Sequence, residues 1–204
     1  RVYQRNDNNT NVAPIGWSQL GGDLDGLSLG DYAGYSVSLS SDGSIVAVGA
    51  IGHNNQRGTV RVYQRDATNT NVAPIGWSKL GGDLNGLSLG DWAGFSVSLS
   101  SDGSIIAVGA SSHDGQKGTV YVYQRNDNNT NVAPIGWSQL GGDLDGEFED
   151  KAGSSVSLSS DGSIVAVGAY YHDVVVEENN SSKGTVRVYQ RNDNNTNVAP
   201  IGWS

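Results

Sequence analysis

The chain has 204 residues, a formal net charge of −9 at pH 7, and neither cysteine nor methionine. The acidic balance argues against a nucleic-acid partner, because contacts to phosphates need clustered lysine and arginine. The lack of cysteine excludes disulfides, thiolate catalysis and cysteine-based zinc sites. No apolar stretch approaches the length of a membrane helix, about 18 residues, so we expect no membrane span in this segment.

The sequence is a tandem array of one module. The motif RVYQR at Arg1 returns at Arg61 and Arg187, and Tyr121 opens the variant YVYQR. The first two copies differ at 13 of 60 positions, which leaves 47 identical. The copies span residues 1–60, 61–120 and 121–186, the third with an inserted loop at 170–183, followed by a partial copy at 187–204. Because the partial copy repeats residues 1–18 unchanged, we interpret the chain as a segment of a longer array.

Two strands are predicted around the RVYQR motif. The string GTVRVYQR, from Gly58 to Arg65, alternates in character, with Val60 and Val62 on one face, so a half-buried strand is expected. A polar loop follows in every copy. The segment 17–20, WSQL, then predicts a second, short strand.

The rest of the module gives the clearest alternating pattern. Tyr35, Val37 and Leu39 share one face of a predicted strand, and three serines share the other. The sequence SDGS at 41–44 predicts a tight hairpin turn. The apolar run at 45–50 that follows indicates a strand buried on both faces.

About four strands in about 60 residues match the size of a propeller blade. We therefore expect an all-β fold of tandem four-stranded antiparallel blades, β-propeller-like, that either closes into a ring or continues as an open array or filament segment. A single sheet of this size cannot bury both of its faces, so neighbouring blades must supply the core. Function is then expected to belong to the array and its loops.

Three segments resemble FG-GAP repeats, the blades of the integrin alpha-chain head and of many bacterial and algal surface proteins. They are GYSVSLSSDGSIVAVGA at 34–50, GFSVSLSSDGSIIAVGA at 94–110 and GSSVSLSSDGSIVAVGA at 153–169, each followed by a loop and a GTV-x-VYQR strand. The resemblance covers nearly every residue. It implies a β-propeller, usually of seven blades, that serves adhesion and protein recognition outside the cell.

The sequence departs from that family in its metal loop and in its number of repeats. Many FG-GAP repeats carry a calcium loop of spaced aspartates between the two strands, where this chain has only SSDGS. The single carboxylate there, at Asp42, Asp102 or Asp161, cannot supply the roughly six to eight oxygens that calcium prefers. Three modules and a fraction also build less than half of a seven-bladed ring.

A second aspartate-rich loop is the candidate calcium site. Spaced oxygens on a glycine-rich loop could hold Ca²⁺, although the full ligand pattern of a dedicated calcium loop is missing. The alternative is that these carboxylates cap loop amides in Asx turns. The candidate ligands are Asp23, Asp25 and Asp31 in the first copy, Asp83 and Asp91 in the second, and Asp143 and Asp145 in the third.

Two further polar patterns recur at one phase of the module. Acceptor triplets for N-glycosylation begin at Asn8, Asn128 and Asn194, and in the inserted loop at Asn179 and Asn180; a merely solvated polar turn is the alternative. The three histidines, His53, His113 and His172, also share one phase. For them we favour hydrogen bonds within loops over a metal site, because successive blades would hold the rings apart.

Aromatic residues that recur once per module, such as Trp77 and Trp137, are expected to pack between blades.

Catalysis is not expected, since no asymmetric set of nucleophile, base and orienting group stands out. The sequence therefore favours an extracellular or cell-surface structural and adhesive protein that self-associates through repeat stacking. Glycans or cell-surface proteins are further candidate partners. The alternative is a ligand-binding propeller that recognises carbohydrate or protein, assisted by calcium.

Overall fold

The computed structural model describes residues 1–176, 179–194, 200 and 202–204. It is an all-β structure in which antiparallel sheets stack face to face, as the repeat pattern predicts. Within each sheet the strands follow one another as a meander. None of the helices among these residues has the length or apolar character that a membrane crossing requires.

A two-stranded hairpin precedes three stacked sheets. The N-terminal hairpin pairs β1 (Tyr3–Arg5) with β2 (Trp17–Gln19). Sheet 1 consists of β3 (Ala33–Leu39), β4 (Ile45–Ala50), β5 (Thr59–Arg65), β6 (Trp77–Lys79) and the short β7 (Leu84–Asn85). The loop between β4 and β5 contains the four-residue turn α1 (His53–Gln56), in which Asn54 and Asn55 have left-handed dihedrals.

Sheet 2 repeats this arrangement. It consists of β8 (Ala93–Leu99), β9 (Ile105–Ala110), β10 (Thr119–Arg125), β11 (Trp137–Gln139) and β12 (Leu144–Asp145), with α2 (His113–Gln116) between β9 and β10. Sheet 3 begins with β13 (Ala152–Leu158) and β14 (Ile164–Ala169). The inserted β15 (Asp173–Val176) and β16 (Asn179–Ser182) form a separate two-stranded hairpin, and β17 (Thr185–Gln190) then pairs with β14 to complete sheet 3. A bridge between Arg191 and Trp203 extends sheet 3.

The sheets cross the boundaries between sequence copies. Strands β3 and β4 come from the first copy, whereas β5 continues into the second and β6 lies wholly within it. Each sheet therefore combines the end of one copy with the beginning of the next. This overlap ties neighbouring copies together through backbone hydrogen bonds as well as through packing.

Stacking on both sides changes the burial expected for the GTVRVYQR strand. In β5, every residue from Thr59 to Tyr63 is buried, so the predicted half-buried strand is wrong for the interior of the array. The reason is that the N-terminal hairpin covers one face of sheet 1 and sheet 2 covers the other. In β17, by contrast, burial alternates, because no further sheet of the described chain covers its outer side.

The SDGS turn between β3 and β4 is held by its aspartate. The Asp42 carboxylate accepts hydrogen bonds from the Ser44 amide at 2.9 Å and the Ser40 hydroxyl at 2.7 Å. These bonds, led by the Ser44 amide, lower the pKa of Asp42 to about 2. Gly43 adopts the left-handed conformation, with φ of 69°, which closes the turn.

Candidate functional site

The buried surface between successive sheets is the most regular feature of the molecule. Sheet 1 contributes Ile45, Ala47, Val60 and Val62 to a core completed by residues of sheet 2 such as Leu99. Sheet 2 presents the equivalent set to sheet 3, namely Ile105, Ala107, Val120 and Val122. The same interface therefore forms twice within one chain, from nearly the same residues.

The serine side of β3 forms polar contacts between sheets. The Ser36 hydroxyl donates to the Gly94 carbonyl at 2.7 Å, and the Ser38 hydroxyl accepts from the Leu99 amide at 3.0 Å. The Ser41 amide donates to the Ser101 carbonyl at 2.8 Å.

The next interface has the same three bonds: Ser96 to Gly153, Leu158 to Ser98, and Ser101 to Ser160. The serines expected on the polar side of a strand therefore make the bonds that set the register of one sheet on the next. Sequence reasoning missed this role, and the only available signal was that these serines do not change between copies.

The glycine of the apolar VGA strand allows this close approach. A Cβ at Gly49 or Gly109 would overlap the carbonyl oxygen of Gly94 or Gly153 in the next sheet. The equivalent Gly168 in sheet 3 would meet only the side chain and backbone of Ser155 in its own sheet. No other sheet of the described residues therefore approaches sheet 3 at this position.

Tryptophans join the outer strands of neighbouring sheets. Trp77, Trp137 and Trp203 are each 1% exposed, and their indole N–H groups donate to the carbonyls of Leu20, Leu80 and Leu140 at 2.9, 3.2 and 3.1 Å. The predicted packing of recurring aromatics between blades is thus confirmed at these positions. Burial also raises the pKa of nearby Tyr123 to about 12.

The two ends of the stack expose the two halves of this interface. The front face is the outer side of sheet 1, where Val37 and Leu39 are 64% and 50% exposed. The N-terminal hairpin and the loop after it pack on β4, β5 and β6 and leave these side chains of β3 exposed. The rear face is the outer side of sheet 3, where Val186 and Val188 are 66% and 63% exposed.

The histidines lie in loops, each beside a buried aspartate. His53, His113 and His172 place Nδ1 at 3.2, 3.1 and 2.8 Å from the carboxylates of Asp31, Asp91 and Asp150. Burial opposes ionisation of Asp31, but bonds from His53 and from the Ser28 and Leu27 amides outweigh it and hold its pKa below the ordinary value. The predicted hydrogen bonding of the histidines within loops is confirmed.

The candidate calcium ligands point to separate partners. Asp23 accepts from Arg1 and Gln19, Asp83 pairs with Arg61 and Lys79, and Asp143 accepts from Gln139. Asp31 and Asp91 are buried against histidines, while Asp25 and Asp145 are exposed. Across the described ranges, no group of three or more histidine, aspartate and glutamate side chains could hold a metal ion. Calcium binding stays a prediction, tested by comparing the unfolding midpoint in calcium and in chelator, with an unchanged midpoint counting against it.

The glycosylation triplets lie on one edge of the stack. Asn8, Asn128 and Asn194 are exposed in the polar loop that follows the RVYQR strand. The third triplet continues into residues outside the described part of the chain. Asn179 and Asn180 belong to β16, and their side chains also lie outside the described residues.

No family model matches the chain, and no curated protein matches it. Solved structures similar to it include the complex of KlAtg21 with the coiled coil of AgAtg16, at 12% identity and a TM-score of 0.48 over 76% of this chain and 39% of that chain. TolB from Acinetobacter baumannii matches at 16% identity and a TM-score of 0.37, over 79% of this chain and 30% of that one. Sqt1 from Chaetomium thermophilum matches at 14% identity and a TM-score of 0.32, over 79% of this chain and 44% of that one. The chain thus spans less than half the length of each of these structures.

Proposed function

We propose that this chain is part of an extracellular structural and adhesive repeat protein, without catalytic activity, whose copies stack head to tail. One observation carries the proposal: the front and rear faces are the two halves of an interface that the chain already forms twice. An interface between unlike faces that does not close into a ring produces a filament. The resemblance to FG-GAP repeats and the exposed glycosylation triplets support a location outside the cell.

The polar groups of the two faces match as donors and acceptors. By equivalence with the internal interfaces, the Ser155 hydroxyl of one copy donates to the Gly34 carbonyl of the next. The Ser160 amide likewise donates to the Ser41 carbonyl. Neither Ser155 nor Ser160 has these bonds within the described part of one chain, so a second copy would satisfy both.

The apolar side chains of the two faces also match. In the internal interfaces, the second strand of one sheet packs on the leucine and valine of the first strand of the next. Ile164, 40% exposed on the rear face, would then cover Leu39 of the second copy. Burial of such side chains contributes about 25 cal/mol for each Å² removed from water.

The N-terminal hairpin must move aside when a second copy docks. It lies over β4, β5 and β6 of sheet 1, where β17 would lie in the docked copy. Residues 1–18 and 187–204 are identical, so exchanging one for the other restores the same contacts. The exchange is therefore close to neutral, and burial of Val37 and Leu39 of β3 supplies the favourable free energy.

Two substitutions test the contributions of the rear and front faces one at a time. Gly168→Ala places a methyl group where the Gly34 carbonyl of the next copy would approach, and Val37→Asp places a charge on the front face. Val72→Asp is the matched control, because Val72 is 69% exposed in a loop away from both faces and the change adds the same charge. Sedimentation velocity should show concentration-dependent assembly of the wild type and of Val72→Asp, and monomers for the other two variants.

A mixture of the two blocked variants tests the head-to-tail arrangement. Gly168→Ala retains an intact front face and Val37→Asp an intact rear face, so an equimolar mixture should form dimers that grow no further. Electron micrographs of the wild type should show filaments, whereas discrete rings would contradict an open array. A wild type that stays monomeric at high concentration would refute self-association.

The extracellular part of the proposal has its own test. The chain is expressed through a secretory pathway, and its intact mass is measured before and after glycosidase treatment. A loss of mass that becomes smaller in an Asn8→Gln, Asn128→Gln variant is expected, because the triplets at Asn179, Asn180 and Asn194 remain in that variant. An unchanged mass would contradict glycosylation at these triplets without bearing on stacking.

A further inference from the structure

Differences between the repeats concentrate on one edge of the stack. We call this the variable edge, made of residues 27–32 and 51–57 and their described equivalents 87–92, 111–117, 147–151, 170–176 and 179–184. Of the 13 substitutions between the first two copies, six fall on it, at positions 32, 51, 52, 54, 55 and 57. The third copy adds the inserted hairpin there and presents Lys151, Tyr170 and Tyr171. Variable loops on a constant scaffold are where repeat proteins commonly bind ligands.

A cleft of about 890 Å³ opens on this edge between the first and second modules. Tyr32 lines it and is 68% exposed. Trp92, the equivalent residue of the next module, also lines it, and its indole N–H donates to the Gln56 side-chain carbonyl at 3.1 Å. The indole lies parallel to the Phe95 ring, with an interplanar angle of 6° and centroids 6.2 Å apart, which fixes its orientation.

The aromatic residues occupy an unusual backbone conformation. Tyr32 and Trp92 have φ of 55° and 59°, and Lys151 at the same phase has φ of 54°. This left-handed region favours glycine, and bulky side chains are rare there. Large side chains nevertheless occupy this position, although Tyr32 is largely exposed, and residues in such strained conformations cluster at binding sites.

Free amide groups complete the cleft. Asn54 and Asn55 line it, are exposed, and have no side-chain hydrogen-bond partner among the described residues. Each carboxamide offers a donor and an acceptor in one plane, the combination that pairs with neighbouring hydroxyl groups. His53 and Asp31 at the base are already paired with each other. No lysine or arginine lines the cleft, and the chain is acidic, so an anionic ligand is disfavoured.

We propose that this cleft binds a neutral oligosaccharide. The Tyr32 and Trp92 rings would contact the apolar C–H face of a sugar ring, and the Asn54 and Asn55 amides would bond its hydroxyls. The site is independent of head-to-tail stacking, because it lies on an edge between two modules of one chain.

The test uses the purified chain with cellotetraose, mannotetraose and chitotetraose as probes in isothermal titration calorimetry. At least one probe should bind, and Tyr32→Gly and Trp92→Gly should each weaken it about tenfold, as expected when one aromatic contact is lost. Glycine fits the left-handed backbone at both positions, so these variants should remain folded. Asn55→Gly, which copies Gly115 of the second module, should also weaken binding.

Lys151→Gly is the matched control. It makes the same change at the same backbone geometry one module further along, outside the cleft, and should leave the affinity unchanged. Gly168→Ala, which blocks stacking, should also leave it unchanged. The proposal is overturned if none of the three probes binds, if Trp92→Gly binds as well as the wild type, or if Lys151→Gly weakens binding equally.

Discussion

Alanine at Gly109 should destabilise the protein strongly, because that position allows two sheets to approach. The new Cβ would overlap the Gly153 carbonyl oxygen and lie 3.0 Å from its carbon, so the backbone of sheet 3 would have to shift. Overpacking of this kind costs about 1–3 kcal/mol. The shift would also weaken the Ser96–Gly153 hydrogen bond, which contributes about 1 kcal/mol. We expect a total loss of about 2–4 kcal/mol.

Gly168→Ala is the control for this prediction, since it makes the same change in the same strand of sheet 3. There the new methyl group overlaps only the hydroxyl of Ser155, which can rotate away. Alanine also gives the unfolded chain fewer backbone conformations than glycine does, which favours the folded state. The free energy of unfolding should therefore stay within about 1 kcal/mol of the wild-type value.

Urea unfolding followed by tryptophan fluorescence measures both variants under the same conditions, at concentrations where the chain is monomeric. If Gly109→Ala and Gly168→Ala lose equal stability, the close approach of the sheets does not explain why glycine occurs in this strand.

Three more predictions address single features of the fold. Trp137→Phe should lower the free energy of unfolding in urea by about 1–2 kcal/mol, because it leaves the Leu80 carbonyl unpaired in a buried site. Trp17→Phe, at the exposed equivalent position, should change it little, and equal losses would contradict the proposed role of the indole bond. Hydrogen bonds led by the Ser159 hydroxyl lower the pKa of Asp161 to about 2. The contribution of the ionised carboxylate to the stability of the fold is therefore complete above the ordinary pKa of aspartate, near 4, and is lost as pH falls towards 2. Asp161→Asn should therefore be less stable than the wild type at pH 7 and equal to it near pH 2, and a difference that persists at pH 2 would refute this. Tyr32→Gly should raise stability by about 0.5–1 kcal/mol by relieving the left-handed backbone, and a loss of stability would show that the exposed ring packs more than its exposure indicates.

Much of the fold could be predicted from the sequence because the information is local. Alternation in the segment at 35–40, the SDGS turn and the apolar run at 45–50 each follow from neighbouring residues, and all three occur where they were expected. The internal repeat then predicted stacking, since near-identical sheets need near-identical neighbours. The error at β5 arose because the alternation of side chains reports two faces but not what covers each of them.

The candidate sites could be predicted only in part. The histidines were correctly expected in loops, but their pairing with Asp31, Asp91 and Asp150 depends on loops that the sheet brings together from about 22 residues apart. Calcium binding by the aspartate-rich loop stays a prediction. The partners of Asp23, Asp83 and Asp31, namely Gln19, Lys79 and His53, could not be read from the sequence, because each contact depends on how the loop folds back on its neighbours.

The sequence by itself determined that the chain is an array of β-blades, because repetition and side-chain alternation are properties of the chain alone. Only the tertiary structure decided that the Ser36 hydroxyl bonds the next sheet and that Tyr32 and Trp92 line one cleft. Those contacts join residues about 60 positions apart, one module from the next. Their geometry is set by how closely two sheets approach, and a linear pattern does not specify that distance.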